Sequence, residues 1–327
     1  MYQLRRLIAA ITALTLLLGT VPVAAQQTGG GSGLSISPTL FQYTINPGES
    51  KSLTITLRNV TGSDVTAQVY VNDFQSDNQT GNPKILTNSS PQSPNSIKNF
   101  LFGLGDVPLV RDEQQQETVA IKVPSDTPPG AYYGIIRYRA VPAGLNTSQN
   151  NEVALTASVG AVVLITVPGN LREQIQLTGI HIYSGQNGSH EGSVFIDKPT
   201  MTGIAIRNLG NGFSQPFGTI EIENMFKHEV FSYQMNKNDP KANILPTSSR
   251  VFKDPIKNIS RPGRYTVIAS VAYGSNGQVI SLTKTFWYVP LWFLGAVLAV
   301  LLVVGLFAFR AYRHYRKDVK RAYRRKE

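Results

Sequence analysis

The chain contains no cysteine. An exported protein of this composition folds without disulfides, holds no thiolate metal site and cannot be lipid-anchored through an N-terminal cysteine, so its cores must suffice. Histidine is scarce, with four in 327 residues. His314 lies in the C-terminal tail, and His181, His190 and His228 are scattered with no pair at metal-ligand spacing. A Gly-x-Ser-x-Gly elbow, a phosphate loop and a His-Glu-x-x-His motif are all missing. Asp106, Asp112 and Glu113 are close in sequence, but nothing predicts a pair flanking a sugar bond. Asp73, Asp77 and Asn78 offer oxygens yet lack the alternating Asp/Asn pattern and closing Glu of a calcium loop. These gaps argue against an enzyme and against any cofactor, metal or small-molecule substrate. Long helical periodicity is also lacking before residue 289.

What the chain does have is a run of 21 residues without a charge, 289–309, followed at once by Arg310-Ala311-Tyr312-Arg313-His314-Tyr315-Arg316-Lys317. At roughly 1.5 Å per residue this makes a helix about 31 Å long, enough to cross a bilayer core of about 30 Å. Trp287, Tyr288 and Trp292 suit one membrane interface, with Arg310, Tyr312, Arg313 and Tyr315 at the other. The tail from Arg310 carries nine Lys/Arg against Asp318 and Glu327, a net +7 that places it in the cytoplasm. At the opposite end Arg5 and Arg6 precede an apolar stretch, and Val23 and Ala25 suit cleavage after Ala25, the pattern of a secretory signal. Whether the signal is cleaved or kept as an anchor, residues 26–286 lie outside the plasma membrane.

The formal net charge of +11 then has a topological origin. The signal takes +2 and the tail +7, leaving the exported part at +2. Nucleic-acid binding is rejected on that ground, while a basic tail beside a span attracts anionic lipid head groups. Six Asn-x-Ser/Thr sequences, at Asn59, Asn78, Asn88, Asn146, Asn187 and Asn258, read as solvent-facing loops.

Residues 26–33 form a flexible Gly-rich leader. Beyond it, short alternating segments separated by Gly and Pro clusters predict strands, as in Leu53-Thr54-Ile55-Thr56-Leu57. The outline then repeats. Leu57-Arg58-Asn59 corresponds to Ile206-Arg207-Asn208, and Pro129-Gly130-Ala131-Tyr132 to Pro262-Gly263-Arg264-Tyr265. In each Pro-Gly-x-Tyr the turn feeds a strand whose first Tyr buries its ring and returns its hydroxyl to the turn, so Tyr132 and Tyr265 are structural corners of immunoglobulin-like sandwiches. Asn59 and Tyr132 are 73 residues apart and Asn208 and Tyr265 only 57, so the first copy carries about sixteen extra residues within 72–99. That stretch holds a hairpin near Asp77-Asn78 and reads either as a binding loop or as a disordered insertion. On the alternate face of the strand after Tyr132 stand Tyr133, Ile135, Arg137 and Arg139, a stripe suited to stacking on sugars or pairing with anionic polymer, or else to cross-strand packing.

The first repeat resembles a known family. Ile36-Ser37-Pro38, Asn46-Pro47-Gly48-Glu49, Ser96-Ile97-Lys98-Asn99-Phe100 and above all Val123-Pro124-Ser125-Asp126-Thr127-Pro128-Pro129-Gly130-Ala131-Tyr132-Tyr133-Gly134-Ile135-Ile136 are similar to the N-terminal peptidoglycan-binding domain of WxL-interacting cell-surface proteins. That resemblance implies two immunoglobulin-like domains, a membrane helix with a basic tail, a peptidoglycan-binding first domain and a protein-binding second domain. The matching residues are turn and core positions, so no ligand contact transfers. The expectation is an all-β chain of two tandem immunoglobulin-like β-sandwich domains plus one C-terminal transmembrane α-helix: signal 1–25, leader 26–33, sandwiches 34–169 and 170–286, helix 287–309 and basic tail 310–327. Its function would be adhesion or scaffolding on peptidoglycan, a surface protein, or both. The alternative is a PapD-like assembly chaperone or pilus-associated subunit that accepts a client strand on an open sheet edge.

Overall fold

Apolar–polar alternation from Leu34 onward becomes strand almost throughout in the computed structural model, which describes residues 33–86, 93–143 and 158–324. The expected signal, 1–25, and nearly all of the expected leader, 26–33, lie outside the described residues. The first sandwich contains β1 (Leu34–Ser37), β2 (Leu40–Thr44), β3 (Ser50–Asn59), β4 (Val65–Asn72), β5 (Phe74–Ser76), β6 (Pro83–Ile85), β7 (Leu101–Phe102), β8 (Val107–Leu109), β9 (Gln114–Lys122), β10 (Gly130–Pro142) and β11 (Ser158–Val167). One sheet runs β1-β3-β9-β7 and the other β2-β11-β10-β4-β8, while β5 and β6 form a separate hairpin.

The second sandwich contains β12 (Ile175–Ser184), β13 (His190–Glu191), β14 (Val194–Phe195), β15 (Pro199–Asn208), β16 (Phe217–Asn224), β17 (Glu229–Met235), β18 (Ser249–Pro255), β19 (Gly263–Tyr273) and β20 (Gln278–Tyr288). Its sheets are β13-β12-β15-β18 and β14-β20-β19-β16-β17. Apart from the edge strands β7 and β13, replacing β1, β2, β3, β4, β8, β9, β10 and β11 by β12, β14, β15, β16, β17, β18, β19 and β20 turns one arrangement into the other. The chain is therefore two immunoglobulin-like β-sandwiches in series.

Period-two patterning builds each core. In β3, Leu53, Ile55 and Leu57 face inward at no more than 1% exposure, in the same core as Val119 and Ile121 of β9, each worth about 1.5–3 kcal/mol for leaving water. On β10, Ile136, Tyr138 and Ala140 point into the same core, and Gly134 leaves the space that Ile97 fills, since a Cβ there would sit 2.6 Å from Ile97 Cγ1. Tyr265, Val267, Ala269, Val271 and Tyr273 of β19 do the same in the second core.

Both repeated signatures organise turns. Asn59 is fully buried, its amide donating to the carbonyls of Ser63 and Val110 while its Oδ1 accepts from Thr61 N–H. Asn208 donates to Gly212 and Ile244 and accepts from Gly210. A buried amide that satisfies three backbone groups is a specific tie between neighbouring loops. Tyr132 donates its hydroxyl to Pro128 O at 3.0 Å and Tyr265 to Arg261 O at 2.7 Å, the corner geometry in both copies.

Strand β20 passes through Val289-Pro290 directly into α1 (Leu291–Arg324). The helix starts later than the expected 287 because Trp287 and Tyr288 continue the alternation of β20 and pair with β14. Tyr288 belongs to the second core, not to a membrane interface. Along Leu291–Arg316 the mean hydropathy of the most apolar stretch reaches 2.7 and none of that stretch packs against protein, so this helix is long and apolar enough to cross a membrane.

Candidate binding surfaces

The outer face of β10 divides in two. Tyr133 and Ile135 are buried, at 7% and 8% exposure, in an apolar cluster with Phe74 and Leu164 of the first sandwich and Leu245 of the second. The Tyr133 ring lies 5.1 Å from Phe74 and 6.1 Å from Phe213. The aromatic half of the expected stripe is thus a domain interface. Burial raises the Tyr133 hydroxyl pKa, with the nearby Asp73 carboxylate adding to the effect.

The inserted hairpin serves the same junction. Asp77 shapes its turn, accepting from the Thr80 hydroxyl and from the N–H groups of Gln79 and Gly81, and the Thr80 hydroxyl above all lowers the Asp77 pKa. Asn78 Oδ1 accepts from Ser249 N–H at 3.0 Å, and Gln79 O accepts from Val251 N–H at 2.6 Å, so the hairpin tip binds the edge of β18. Arg250 lies beneath the turn, where a Cβ on Gly81 would meet its guanidinium at 2.7 Å. Ala131 N–H to Asn211 O completes the junction at 2.9 Å. The β5–β6 hairpin therefore fastens one sandwich to the other.

Two concavities flank this junction. The first, about 540 Å³, is lined by Tyr43, Thr166, Arg172, Glu173, Lys241 and Tyr273 among others. Its charges are largely engaged: Arg172 donates to Leu209 O, and Glu173 accepts from the N–H and hydroxyl of Ser275. The second, about 620 Å³, includes His181, Tyr183, Glu191, Lys253 and Asp254. His181 Nδ1 meets Glu191 Oε1 at 2.5 Å, and Lys253 Nζ stands 4.5 Å above the Tyr183 ring. Burial raises the Asp254 pKa, opposed by Lys237. Among the described residues no three His, Cys, Asp or Glu side chains group as a metal site.

The two sandwiches differ at one edge. In the first, β2 lies parallel on β11, with Leu40, Phe41, Gln42 and Tyr43 opposite Val162, Val163, Leu164 and Ile165. Register through the corner tyrosines (Tyr132 opposite Ile165, Tyr265 opposite Phe286) makes residues 283–286 of β20 the counterparts of 162–165. The strand equivalent to β2 is β14, which pairs only with Trp287 and Tyr288. The residues before it, His190 and Glu191, turn away to pair with β12 instead. Trp287 N–H donates across this edge to Ser193 O, so by two-residue alternation the N–H and C=O groups of Val279, Ser281, Thr283 and Thr285 point the same way. Among the described residues nothing pairs with them. Ile280 and Leu282 are partly buried beside this edge and Lys284 shares their face. Sequence reasoning missed the site, although Lys284 at an inward position of an otherwise apolar face was its one visible sign.

Arg137 and Arg139 remain half-buried on the outer face of the first sandwich. Trp292 is 63% exposed near the start of α1, while Arg310 and Arg313 lie at the far end of its apolar stretch, with Arg313 over the Phe309 ring.

No protein-family model and no curated relative matches the chain. Solved structures of similar fold include the class 5 fimbriae chaperone CfaA, at 16% identity and TM-score 0.38, covering 79% of this chain and 100% of that one. The CupB2 chaperone of Pseudomonas aeruginosa aligns at 11% identity and TM-score 0.35, over 77% of this chain and 100% of its own. The E. coli chaperone DraB aligns at 15% and 0.33, over 78% and 96%. Scores of this size carry no statement about activity.

Proposed function

We propose that this chain is a membrane-anchored, non-enzymatic surface protein that holds an extended segment of a partner protein on the free edge of β20. The carrying observation is the unfilled edge itself: among the described residues, 283–286 lack the neighbour that β2 supplies to the matching 162–165 of the first sandwich, and the outward backbone groups of 279–282 beside them are unpaired too. An added strand running parallel to β20, as β2 runs along β11, would satisfy the eight outward backbone groups of Val279, Ser281, Thr283 and Thr285 and cover Ile280 and Leu282. Lys284 on the inward face resists indiscriminate pairing and selects a segment with an Asp or Glu opposite it. The basic tail stays cytoplasmic and both sandwiches face outward. With only Val289 and Pro290 between β20 and α1, the edge is held close to the bilayer.

A photo-crosslinker placed at Thr283 in cells that make the protein tests this reading. The expected product is one adduct whose partner peptide is an extended acidic–apolar segment. Binding of that synthetic segment should be abolished by Thr283→Pro and weakened at least tenfold by Lys284→Glu. A partner that binds equally well to both variants would contradict edge addition.

A second reading, binding of cell-wall peptidoglycan by the first sandwich, rests on the resemblance of residues 123–136 to the WxL-interacting family. Co-sedimentation of the full chain with sacculi tests it, and recovery in the supernatant at all salt concentrations would end it.

A further inference from the structure

The end of the second sandwich from which α1 departs carries an apolar patch of its own. Asn224, the last residue of β16, stands opposite Tyr265 of β19, which in turn faces Phe286 of β20, two residues before that strand ends at Tyr288. The β16–β17 turn, 225–228, therefore projects from the same end as the link Val289-Pro290. Met225 lies against this end, since its Sδ would be 3.7 Å from a Cβ on Gly263, the residue paired with Tyr288. Phe226, 72% exposed, is the most exposed large apolar side chain among the described residues, and Met225 beside it is 52% exposed. Ile196 adds to the patch, one residue beyond the Phe195–Tyr288 pair of β14 and β20.

Both the turn and the link are firmly built. Asn224 Oδ1 accepts from the N–H groups of Phe226 and His228, its own N–H donates to His228 O, and its C=O accepts from Lys227 N–H. Four bonds from one residue thus hold two adjacent apolar side chains out in solvent, an arrangement that favours burial against something else. Val289 N–H donates to Phe195 O at 2.8 Å, Pro290 is buried, and Phe293 N–H already donates to Pro290 O. The helix starts on the sandwich with no loose joint between them.

We infer that the Met225-Phe226 turn inserts into the outer leaflet beside α1, as a second membrane contact that fixes how the second sandwich stands on the bilayer. This rests on the reading of α1 as a membrane span. Two residues beyond Asn224, Phe226 is level with Tyr288, and the three residues from there to Leu291 cover at most about 11 Å. A head-group layer is about 5–8 Å thick, so a Phe ring at this tip meets lipid once the apolar run enters the core. Exposed cations surround the tip: Lys198 after β14, Lys227 in the turn, Lys257 and Arg261 in the loop before β19, and Arg264 opposite Trp287. None forms an ion pair among the described residues, and the carboxylates at this end are Asp197, Glu223 and Glu229. An apolar tip within a collar of unpaired cations suits a leaflet of anionic lipid. The free edge of β20, on the far side of that strand from β16, is then held at a set angle to the membrane.

The test uses the full chain in nanodiscs of anionic lipid, one copy per disc, which excludes pairing between copies. Because the chain has no cysteine, His228→Cys places a single fluorophore in the turn without touching Met225 or Phe226. Lipid carrying a shallow spin label should quench it at least twofold. Met225→Ser/Phe226→Ser in the same background should reduce the quenching to that of a label at Asn276→Cys, in the turn at the opposite end of β20, about 35 Å away. Leu301→Cys, midway along the apolar part of α1, reports on the span itself and should be quenched by a deep spin label. A turn label quenched no more than the one at Asn276→Cys, with Leu301→Cys quenched, would overturn the second contact and leave the span standing. An unquenched label at Leu301→Cys would overturn the span and this inference with it. Quenching of the turn label that survives the Ser double variant would overturn the part assigned to Met225 and Phe226. Circular dichroism of that variant, whose two altered side chains are exposed, confirms that lost quenching is not a lost fold.

Discussion

Replacing Tyr133 with Ala tests whether the outer face of β10 joins the two sandwiches or meets a ligand. Tyr133 is 93% removed from solvent, with Phe74 and Phe213 on either side at 5.1 and 6.1 Å. Truncating a buried aromatic costs about 3–5 kcal/mol, since the surroundings relax only partly into the void. The loss falls on a cluster shared by both sandwiches, so it should uncouple them as well as weaken the first. In a chain of this size each kcal/mol lowers the unfolding temperature by about 2–4 °C, which puts the first transition roughly 6–20 °C lower. Differential scanning calorimetry of the full chain should show one transition in the wild type and two in Tyr133→Ala. Tyr133→Phe keeps the ring and should change stability by less than about 1.5 kcal/mol. A Tyr133→Ala protein that unfolds like the wild type would refute the interface assignment.

Other consequences follow from the buried polar ties. Asn208→Ala strands the carbonyls of Gly212 and Ile244 and the N–H of Gly210, so it should destabilise the second sandwich by about 2–4 kcal/mol in chemical denaturation, with Asn59→Ala doing the same to the first. Tyr265→Phe removes one hydroxyl bond of 2.7 Å and should cost about 1 kcal/mol. Asp254 has a raised carboxyl pKa in the folded state through burial. Its contribution therefore favours the fold below the unfolded pKa of about 3.9 and is lost as pH rises through the folded value. Asp254→Asn should stabilise the protein at pH 7 and flatten its acid-side stability profile, measured by urea denaturation from pH 3 to 7.

Much of this architecture was legible in the sequence, because β-sandwiches are specified locally. Alternation fixed which side of β3 and β19 enters a core, and the paired Arg-Asn and Pro-Gly-x-Tyr signatures marked two copies before any contact was known. What stayed hidden depended on partners distant in sequence. Tyr133 and Ile135 look outward on their own strand, and only Phe213 and Leu245 of the other sandwich bury them. The hairpin at Asp77 and Asn78 reads as a binding loop or a disordered insertion until the N–H groups of Ser249 and Val251 are seen to donate to it. Trp287 and Tyr288 continue into the apolar run without a compositional break, so the switch from strand to helix at Pro290 has no advance signal beyond the proline. The free edge of β20 arises because His190 and Glu191 pair with β12, a choice between two sheets that no local pattern encodes.

Amide hydrogen exchange along β20 of the full chain is the most direct test of a free edge that takes an added strand. The N–H groups of Val279, Ser281, Thr283 and Thr285 should exchange quickly, while those of Ile280, Leu282 and Lys284, directed at β19, should be strongly protected. The four fast amides should become protected when a partner segment binds. Uniform slow exchange in the unbound protein would show that the edge is already occupied and would contradict the account.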